Sequence, residues 1–414
     1  MSNILIIGGG IVGLSSAYYL HKSGHTVTVL DKGDLTDNCS YGNAGMIVPS
    51  HFVPLAAPGM VQQGIRWMFN RKSPFYVRPS LNPELVNWGI KFLKHANAGH
   101  VSRSAVPLKE LNLLSKQLYA DLAKEPDFNF ELESKGILSM YKTERAAEEE
   151  AHLAKAAVEL GIDMAVLTAE ECRQLQPDLK LDILGAVHFR DDAHLSPPKV
   201  MQALLQYLEK GGVKIIRNHE VTKIETSGSK IIRVYTGNTV WNADQYVLAT
   251  GSWSPAIAKM MDIKVCLMPG KGYSFMEPEP LKRMTIPALL AEARVAITPM
   301  NGSIRYSGTM ELDRINTRVN MDRVRGIVES VPKYFPDLHP AVPPVEKIWY
   351  GFRPSSADGL PYIGRSPKKE NLILATGHGM MGMSLGPATG SLVNQIISEQ
   401  QTDIDIKAFA PARY

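Results

Sequence analysis

The feature that most constrains the fold is a glycine-rich turn that directly follows a short apolar run at the start of the chain. Ile4-Leu5-Ile6-Ile7 is continuously apolar, as expected for a parallel strand buried on both faces. Gly8-Gly9-Gly10-Ile11-Val12-Gly13 follows and matches G-x-G-x-x-G. A segment with helical spacing, the apolar segment Thr26–Leu30 and then Asp31 come next. This order of strand, glycine turn, helix, strand and acid predicts a dinucleotide-binding βαβ unit.

Each residue type in this unit has a physical reason. Gly8 permits the sharp turn, Gly10 lets a pyrophosphate approach the backbone, and Gly13 lets the helix pack close to the strand. The helix start attracts phosphate groups through its free N–H groups and its dipole. Asp31 can accept both hydrogen bonds of a ribose diol and disfavours a 2′-phosphate. A merely structural glycine turn is the alternative, and the motif alone does not separate FAD from NAD.

Composition excludes several other classes of protein. Of the 414 residues, 44% are hydrophobic and 21% are charged, which is typical of globular chains and excludes disordered, collagen-like and coiled-coil ones. A formal net charge of +4 without a long Lys/Arg block argues against a nucleic-acid partner. The three cysteines are far apart and form no disulfide framework. No HxxxH, CxxC or carboxylate cluster has ligand spacing, so we expect no metal.

The sequence also bears on location. No stretch reaches the roughly 20 uninterrupted apolar residues of a membrane-spanning helix. The apolar start of the chain lacks the pattern of a signal peptide, so we expect a cytoplasmic protein, and peripheral contact with the inner membrane stays open.

Residues 51–130 favour helices. Their large apolar side chains are expected in the core, with a substrate or membrane surface as the alternative: Trp67, Met68, Phe69, Trp88, Ile90, Phe92 and Leu93.

The second half of the chain favours strands, with a second glycine-rich turn near its end. Ser196, followed by two prolines, predicts a helix start. Four short segments with turn residues between them predict an antiparallel meander: 213–217, 220–226, 230–236 and 239–241. An apolar strand at 372–376, the glycine turn 377–382 and a helix then resemble the unit at the front of the chain. A cofactor domain split by an inserted substrate domain accounts for this order.

Together these segments resemble the D-amino-acid oxidase-like superfamily of flavoproteins, closest to the small-subunit type of bacterial D-amino-acid dehydrogenase. The resemblance covers nearly the whole chain and rests on the order of its segments: 8–31, 40–46, 55–59, 249–253, 271–274, 351–354 and 358–361. It implies an α/β fold with a Rossmann-like FAD-binding domain and an inserted α+β substrate domain on a mixed or antiparallel sheet. The expected boundaries are 1–50, 191–264 and 346–414 for the FAD domain, and 51–190 and 265–345 for the substrate domain.

The resemblance also implies which residues bind the cofactor. Small residues at 40–45 would let the backbone lie against the flavin, and Val221 would contact adenine, with a surface turn and a core strand residue as the respective alternatives. The helix start after 377–382 would stabilise negative charge on the flavin. Some relatives bind flavin through a late cysteine, but none follows Cys266, so we expect non-covalent FAD. The candidate FAD contacts are Gly8, Gly10, Ile11, Val12, Gly13, Asp31, Lys32, Ser40, Asn43, Ala44, Gly45, Met46, Val221, Thr250, Gly251, Gly379, Met380, Met381, Gly382 and Met383.

Arg353 and Tyr273 are the candidate substrate contacts. Arg353 lies in Gly-Phe-Arg-Pro and resembles the family's carboxylate-binding arginine, because its planar fork matches a carboxylate. A structural salt bridge is the alternative. Tyr273 resembles a tyrosine that covers the substrate, with core packing as an equal alternative. Four further residues are weaker candidates: His51, Tyr306, Trp349 and Tyr350.

The resemblance implies FAD-dependent dehydrogenation of a D-amino acid, including cyclic amines of the D-proline type, by hydride transfer from Cα to flavin N5. The partners would be a small amino-acid substrate and an unidentified electron acceptor, a quinone chain or another. One alternative is a glycine- or sarcosine-type oxidase that uses oxygen. The others are an NAD-dependent dehydrogenase, which fits the first motif only, and a flavin-binding scaffold without turnover.

Overall fold

Two large sheets organise the chain in the computed structural model, which describes residues 1–60, 62, 64, 67, 72–78 and 82–413. The strands are β1 Asn3–Ile7, β2 Thr26–Leu30, β3 Met46–Ile47, β4 Phe75–Val77, β5 Ile137–Tyr141, β6 Met164–Thr168, β7 Gly185–Phe189, β8 Ala193–His194, β9 Lys214–Ile216, β10 Lys223–Ser227, β11 Lys230–Thr236, β12 Thr239–Trp241, β13 Gln245–Leu248, β14 Leu267–Pro278, β15 Ala288–Leu290, β16 Val295–Met300, β17 Ser303–Leu312, β18 Trp349–Ser356, β19 Tyr362–Arg365 and β20 Leu372–Thr376. The helices are α1 Ile11–Lys22, α2 Pro83–His95, α3 Ala98–Leu122, α4 Glu144–Glu159, α5 Ala169–Leu175, α6 Pro197–Lys210, α7 Ser254–Lys259, α8 Met321–Tyr334 and α9 Gly382–Ile397.

The first sheet has six strands in the order β19-β20-β13-β1-β2-β9. All its neighbours pair in parallel except β19, which is antiparallel to β20. β1 lies inside the sheet, and four of its five residues are buried, which explains why its sequence is a continuous apolar run rather than an alternating one. This sheet confirms the Rossmann-like half of the expected fold.

The first and last helices pack unusually close together. A Cβ added at Gly390 would lie 2.5 Å from the carbonyl carbon of Ser15, and one at Gly386 would lie 2.7 Å from Cγ1 of Ile11. Only glycine permits these approaches. The contact brings the two ends of the chain side by side, on the sheet in which β1, β13 and β20 are neighbours.

The second sheet has nine strands, in the order β18-β14-β17-β16-β15-β5-β7-β6, with β4 also paired to β17. Most pairs are antiparallel, but β15–β5 and β17–β4 are parallel, so the sheet is mixed. Helix α8 buries Val324, Ile327 and Val331 in the same core cluster as Ile297 and Ile304 of this sheet. The expected class, an α/β fold with an inserted α+β domain on a mixed sheet, is confirmed.

One strand partner differs from the sequence prediction, and one strand lies across an expected domain boundary. β9, predicted as the first strand of the meander, instead pairs in parallel with β2 in the six-stranded sheet, so that prediction is wrong. The remaining meander, β10-β11-β12, is antiparallel as predicted. β18 falls inside the segment 346–414 expected in the FAD domain, yet it pairs with β14 of the nine-stranded sheet. Apolar spacing identifies a strand but does not choose its neighbour.

Helix α2 corrects part of the predicted core. Trp88 is buried there, but Ile90 and Leu93 are 62% and 58% exposed, so their assignment to the core is wrong. The helix buries its Trp88 side and turns these two residues outwards, which a count of apolar residues does not reveal. Met68 and Phe69 lie outside the described residues. None of the helices in the described ranges is long and apolar enough to cross a bilayer.

A buried carboxylate, that of Asp192, lies in the turn between β7 and β8. Asp192, only 1% exposed, accepts hydrogen bonds from the backbone N–H of Ser50 (3.0 Å) and from its Oγ (2.6 Å). Burial raises the pKa of Asp192 to about 7, although the Ser50 hydrogen bonds oppose the shift. The folded state therefore holds this proton more tightly than the unfolded chain does, and stability is lost as the pH rises from about 4 to about 7.

We predict that Asp192→Asn flattens this dependence, because the amide does not ionise. In urea unfolding between pH 5 and 8, the wild type should lose up to about 1.4 kcal/mol of unfolding free energy per pH unit more than the variant. Ser50→Ala should extend the loss to higher pH, since it removes a hydrogen bond that favours the ionised form and so raises the pKa of Asp192 further. Equal slopes for the wild type and Asp192→Asn would contradict the prediction.

Candidate cofactor and substrate site

The glycine turn after β1 forms a cradle at the carboxyl edge of the six-stranded sheet. Gly8 has φ +109°, and a Cβ added at Gly13 would lie 1.8 Å from the Gly8 carbonyl oxygen. A Cβ at Gly10 would meet only the Ser40 hydroxyl, at 3.5 Å, so this side of the turn is open to a ligand. Gly10 is the N-cap of α1 and offers no capping side chain. The cradle therefore fits the diphosphate of a dinucleotide.

Asp31 joins the glycine turn to the end of β2. Its carboxylate accepts the N–H groups of Gly9 (2.7 Å) and Gly33 (2.8 Å). A carboxylate has about four lone-pair sites, so this geometry leaves acceptor capacity for ribose hydroxyls. The segment containing Val221 runs alongside, because the N–H of His219 donates to the Asp31 carbonyl at 2.8 Å. The structure thus brings Asp31 and Val221 to the same edge.

Lys32 and Thr250–Gly251 lie near this edge too. The Lys32 ammonium is 4.0 Å from the centre of the Trp253 ring, which follows the turn at Gly251. Thr376, at the end of β20, donates its hydroxyl to the Gly251 carbonyl at 3.2 Å. The ends of β2, β13 and β20 therefore present their candidate residues at neighbouring positions of one sheet.

The loop 40–46 and the C-terminal turn are also brought together. Ser40 Oγ accepts the N–H of Ile11 at 3.0 Å, which ties the loop to the start of α1. Asn43 Nδ2 donates to the Met380 carbonyl at 3.4 Å. Just beyond the loop, the N–H of Val48 donates to Oγ of Ser384 in α9. The two predicted halves of the flavin site, residues 40–46 and 379–383, are therefore in direct contact.

The histidines of this region carry no charge at neutral pH. Burial lowers the pKa of His378, in the C-terminal turn, to about 3. Burial, with the positive charge of Arg294, lowers the pKa of His51 to about 4. The first turn of α9 holds no acidic residue. The positive end of the α9 dipole is therefore not offset by an acidic side chain of its own first turn.

Arg353 belongs to β18, and its side chain extends over the face of the neighbouring strand β14 that carries Gly270 and Gly272. A Cβ added at Gly272 would lie 2.1 Å from Nη1 of Arg353, so the guanidinium occupies the space above that glycine. Nη1 donates to the Thr309 carbonyl at 2.6 Å. Burial lowers the pKa of Arg353 to about 10, which still leaves it protonated at neutral pH. No ion pair involves it among the described residues, so its charge is available to an anionic ligand.

A strained bulge aims the carbonyl that holds Arg353. Thr309 and Met310 together oppose Gly272, because the β14–β17 register shifts between Lys271 and Tyr273. Thr309 has φ +61°, a left-handed conformation that costs a residue with a Cβ roughly 1–2 kcal/mol. Strain of this kind persists where the surrounding structure imposes it and is concentrated at functional sites.

Tyr273 is not brought together with Arg353. Arg353 pairs with Gly270, three residues before Tyr273, so the alternation of β14 directs the two side chains to opposite faces. Tyr273 is 1% exposed and its hydroxyl accepts the N–H of Asn320 at 3.1 Å, on the side covered by α8. This position agrees with the core-packing alternative, and a substrate contact by Tyr273 stays a prediction.

Sequence reasoning assigned no role to Arg305 and Ser274, which hold the loop 40–46 from the second sheet. Arg305 Nη1 donates to the carbonyls of Tyr41 and Asn43, and Ser274 Oγ donates to that of Gly42. A charged residue inside the apolar strand 304–308 was a visible signal, but only the tertiary structure shows what it contacts. Within the described ranges, no group of three His, Cys, Asp or Glu side chains is placed to hold a metal ion.

Comparisons with known proteins agree with this geometry. A family model described as DAO, FAD dependent oxidoreductase, matches residues 3–396. D-amino acid dehydrogenase from Helicobacter pylori is 32% identical over 413 residues, 98% of each chain, and that from Vibrio atlanticus is 30% identical over 419 residues, 99% of each. Glycine oxidase from Geobacillus kaustophilus has a TM-score of 0.79 at 22% identity, covering 100% of this chain and 99% of its own. L-proline dehydrogenase from P. horikoshii has a TM-score of 0.74 at 19% identity, covering 100% and 97%.

We predict that Gly13→Ala abolishes FAD binding, because the new methyl group would strike the Gly8 carbonyl and push α1 away from the turn. Titration of the apoprotein with FAD, followed by flavin fluorescence, checks this. Gly89→Ala is the matched control: Gly89 is also within a helix, but a Cβ there meets no atom within 4 Å. A Gly13→Ala variant that binds FAD with wild-type affinity would disprove the cradle.

Proposed function

The chain belongs to the DAO family of FAD-dependent oxidoreductases, and from this premise we propose that it is a D-amino-acid dehydrogenase. The substrates would be D-amino acids, including cyclic secondary amines of the D-proline type. The curated relatives at 30–32% identity bear the name D-amino acid dehydrogenase over nearly their whole length, which supports this proposal. The observation that carries it is Arg353, a half-buried cation held over Gly272 without an acidic partner in the described part of the chain.

The FAD would lie along the edge built by the candidate residues. The turn Gly8–Gly13 and Asp31 are suited to its diphosphate and ribose, and the loop 40–46 and residues 379–383 to its flavin. When bound, FAD supplies the two-electron acceptor, in this proposal the N5 atom that takes the Cα hydrogen as hydride. The positive end of the α9 dipole would favour the negative charge that reduction adds.

Arg353 would bind and orient the substrate through its α-carboxylate. Nη1 is already held by the Thr309 carbonyl, so the guanidinium is oriented before substrate arrives and less conformational freedom is lost on binding. The neutral carbonyl fixes the arginine without cancelling its charge. Gly272 leaves the space above the strand free for the guanidinium. No side chain is assigned as an acid or base, because the substrate needs only a neutral amine to lose its Cα hydrogen.

We predict that Arg353→Met raises KM for a D-amino acid by about tenfold or more, since a charged hydrogen-bonding partner of the carboxylate is lost. FAD content should stay at the wild-type level. Arg353→Lys keeps the charge but not the fork, so its KM should fall between the two. Steady-state kinetics with an artificial acceptor measure this. Unchanged KM in Arg353→Met would sink the carboxylate assignment.

A matched pair of glycines tests the geometry around Arg353. Gly272→Ala should displace the guanidinium and raise KM. Gly270→Ala should change KM little, because its Cβ would meet side-chain atoms of Met310, the nearest being the flexible methyl group at 2.8 Å, and the Ser355 hydroxyl at 3.4 Å, but not Arg353. Both positions lie on the same face of the same strand. The affinity of a simple carboxylate inhibitor should weaken in parallel with the rise of KM. Equal effects of the two substitutions would show that the contact with Arg353 is unimportant.

An oxygen-using oxidase is the second candidate, because the fold is shared with a glycine oxidase. The names of the curated relatives favour a dehydrogenase. In our proposal its electrons pass to a quinone chain or another acceptor. Peroxide released during turnover in air would identify the oxidase. Reduction of a soluble quinone in its place would identify the dehydrogenase. The cytoplasmic location with peripheral contact at the inner membrane stays a prediction, and cell fractionation tests it.

A further inference from the structure

Three successive carbonyls of the loop 40–46 are held by the second sheet. The carbonyls of Tyr41 and Asn43 accept hydrogen bonds from Nη1 of Arg305, at 2.9 and 2.5 Å. The carbonyl of Gly42 between them accepts one from Oγ of Ser274, at 2.8 Å. This stretch of the loop is therefore fastened along one side by β14 and β17.

The loop is also pressed against an aromatic ring. A Cβ added at Gly42 would lie 1.9 Å from Cδ2 of Trp349, so only glycine fits against this ring. The indole N–H of Trp349 donates to the carboxylate of Asp37 at 3.1 Å, which anchors the ring. Trp349 and Arg353 both belong to β18, so the strand that carries Arg353 also helps to position the loop.

Arg305 brings a buried positive charge to this contact. It is 6% exposed, and in the described part of the chain no ion pair involves it. Its acceptors are two backbone carbonyls and Sδ of Met276, all of them neutral. Burial lowers its pKa to about 10, so it remains protonated at neutral pH. A buried charge without a counter-charge is costly, and proteins rarely tolerate one without a reason.

The opposite side of the same sheet shows a different arrangement. There Arg323 of α8 lies 3.6 Å from Oε1 of Glu311, so that its charge has an acidic partner. Arg305 pairs with Met276, on the same side of β14 as Gly272, and therefore shares a face with Arg353. The two arginines that face the cofactor loop and the substrate position have neutral partners, whereas the arginine in the core has an acid.

We propose that Arg305 is a positioning residue for FAD: it fastens the loop 41–43 and supplies the charge that offsets the negative charge of the bound cofactor. Arg353 would serve the substrate in the same way from the same face. The inference rests on the proposed role of the loop 40–46 in binding FAD, but not on the identity of the substrate. It explains why a buried arginine is kept here without an acid.

The test compares apoprotein and FAD-bound protein in Arg305→Met, Arg305→Gln, Arg305→Lys and Ser274→Ala. We expect Arg305→Met and Arg305→Gln to weaken FAD binding by about tenfold or more and to lower the midpoint potential of the bound flavin. The melting temperatures of these variant apoproteins should be no lower than that of the wild-type apoprotein, because an uncompensated buried charge has been removed. Arg305→Lys keeps the positive charge, so its midpoint potential should stay close to that of the wild type. Ser274→Ala removes one hydrogen bond but no charge, so its midpoint potential should equal that of the wild type.

FAD affinity, midpoint potential and melting temperature are all measured without substrate. The test of Arg305 is therefore independent of whether the protein oxidises D-amino acids. If Arg305→Met and Arg305→Gln lose thermal stability equally with and without FAD and keep the wild-type potential, Arg305 is only a structural tether and the proposal is wrong. Should Arg305→Met fail to fold, Arg305→Gln, which keeps a donor for the loop carbonyls, provides the same comparison.

Discussion

The approach of Gly13 to the carbonyl of Gly8 is the contact on which the arrangement of the site depends. A side chain at Gly8 would strike the backbone of Ala249 at the end of β13, and one at Gly13 would separate α1 from the end of β1. Because they touch, α1 starts directly at the carboxyl edge of the six-stranded sheet, where its free N–H groups point at an incoming anion. The same helix then packs against α9 through further glycines, so the C-terminal turn reaches the same edge. One set of glycine contacts thus brings the front and back of the chain to one cofactor site.

The second sheet contacts the loop 40–46 from the other side, and its arginines have different partners on its two faces. On the face that meets the loop 40–46, Arg305 and Arg353 are held by carbonyls and remain uncompensated. On the core face, Arg323 is neutralised by Glu311. An arginine without an acidic partner favours a nearby anion, and this is the basis of the roles proposed for Arg305 and Arg353 towards an anionic cofactor and a carboxylate substrate.

How far the sequence predicts this protein depends on how local each feature is. The unit from β1 to Asp31 and the strand, turn and helix from β20 to α9 follow from residue spacing, and both are present as predicted. The partner of β9 and the exposure of Ile90 and Leu93 depend on what packs alongside, and the predictions made for them were wrong. Spacing records the periodicity of one segment and carries no information about its neighbour.

By itself the sequence determined the order of elements, the glycine turns and the presence of an arginine suited to a carboxylate, because these depend on residue type and spacing along the chain. Only the tertiary structure decided which side chains share a face. Tyr273 and Arg353 occupy adjacent strands yet point to opposite sides, whereas Arg305, with no recognisable motif, reaches the loop 41–43. Strand register and a bulge at Thr309 set these directions, and neither is encoded in a short stretch of sequence.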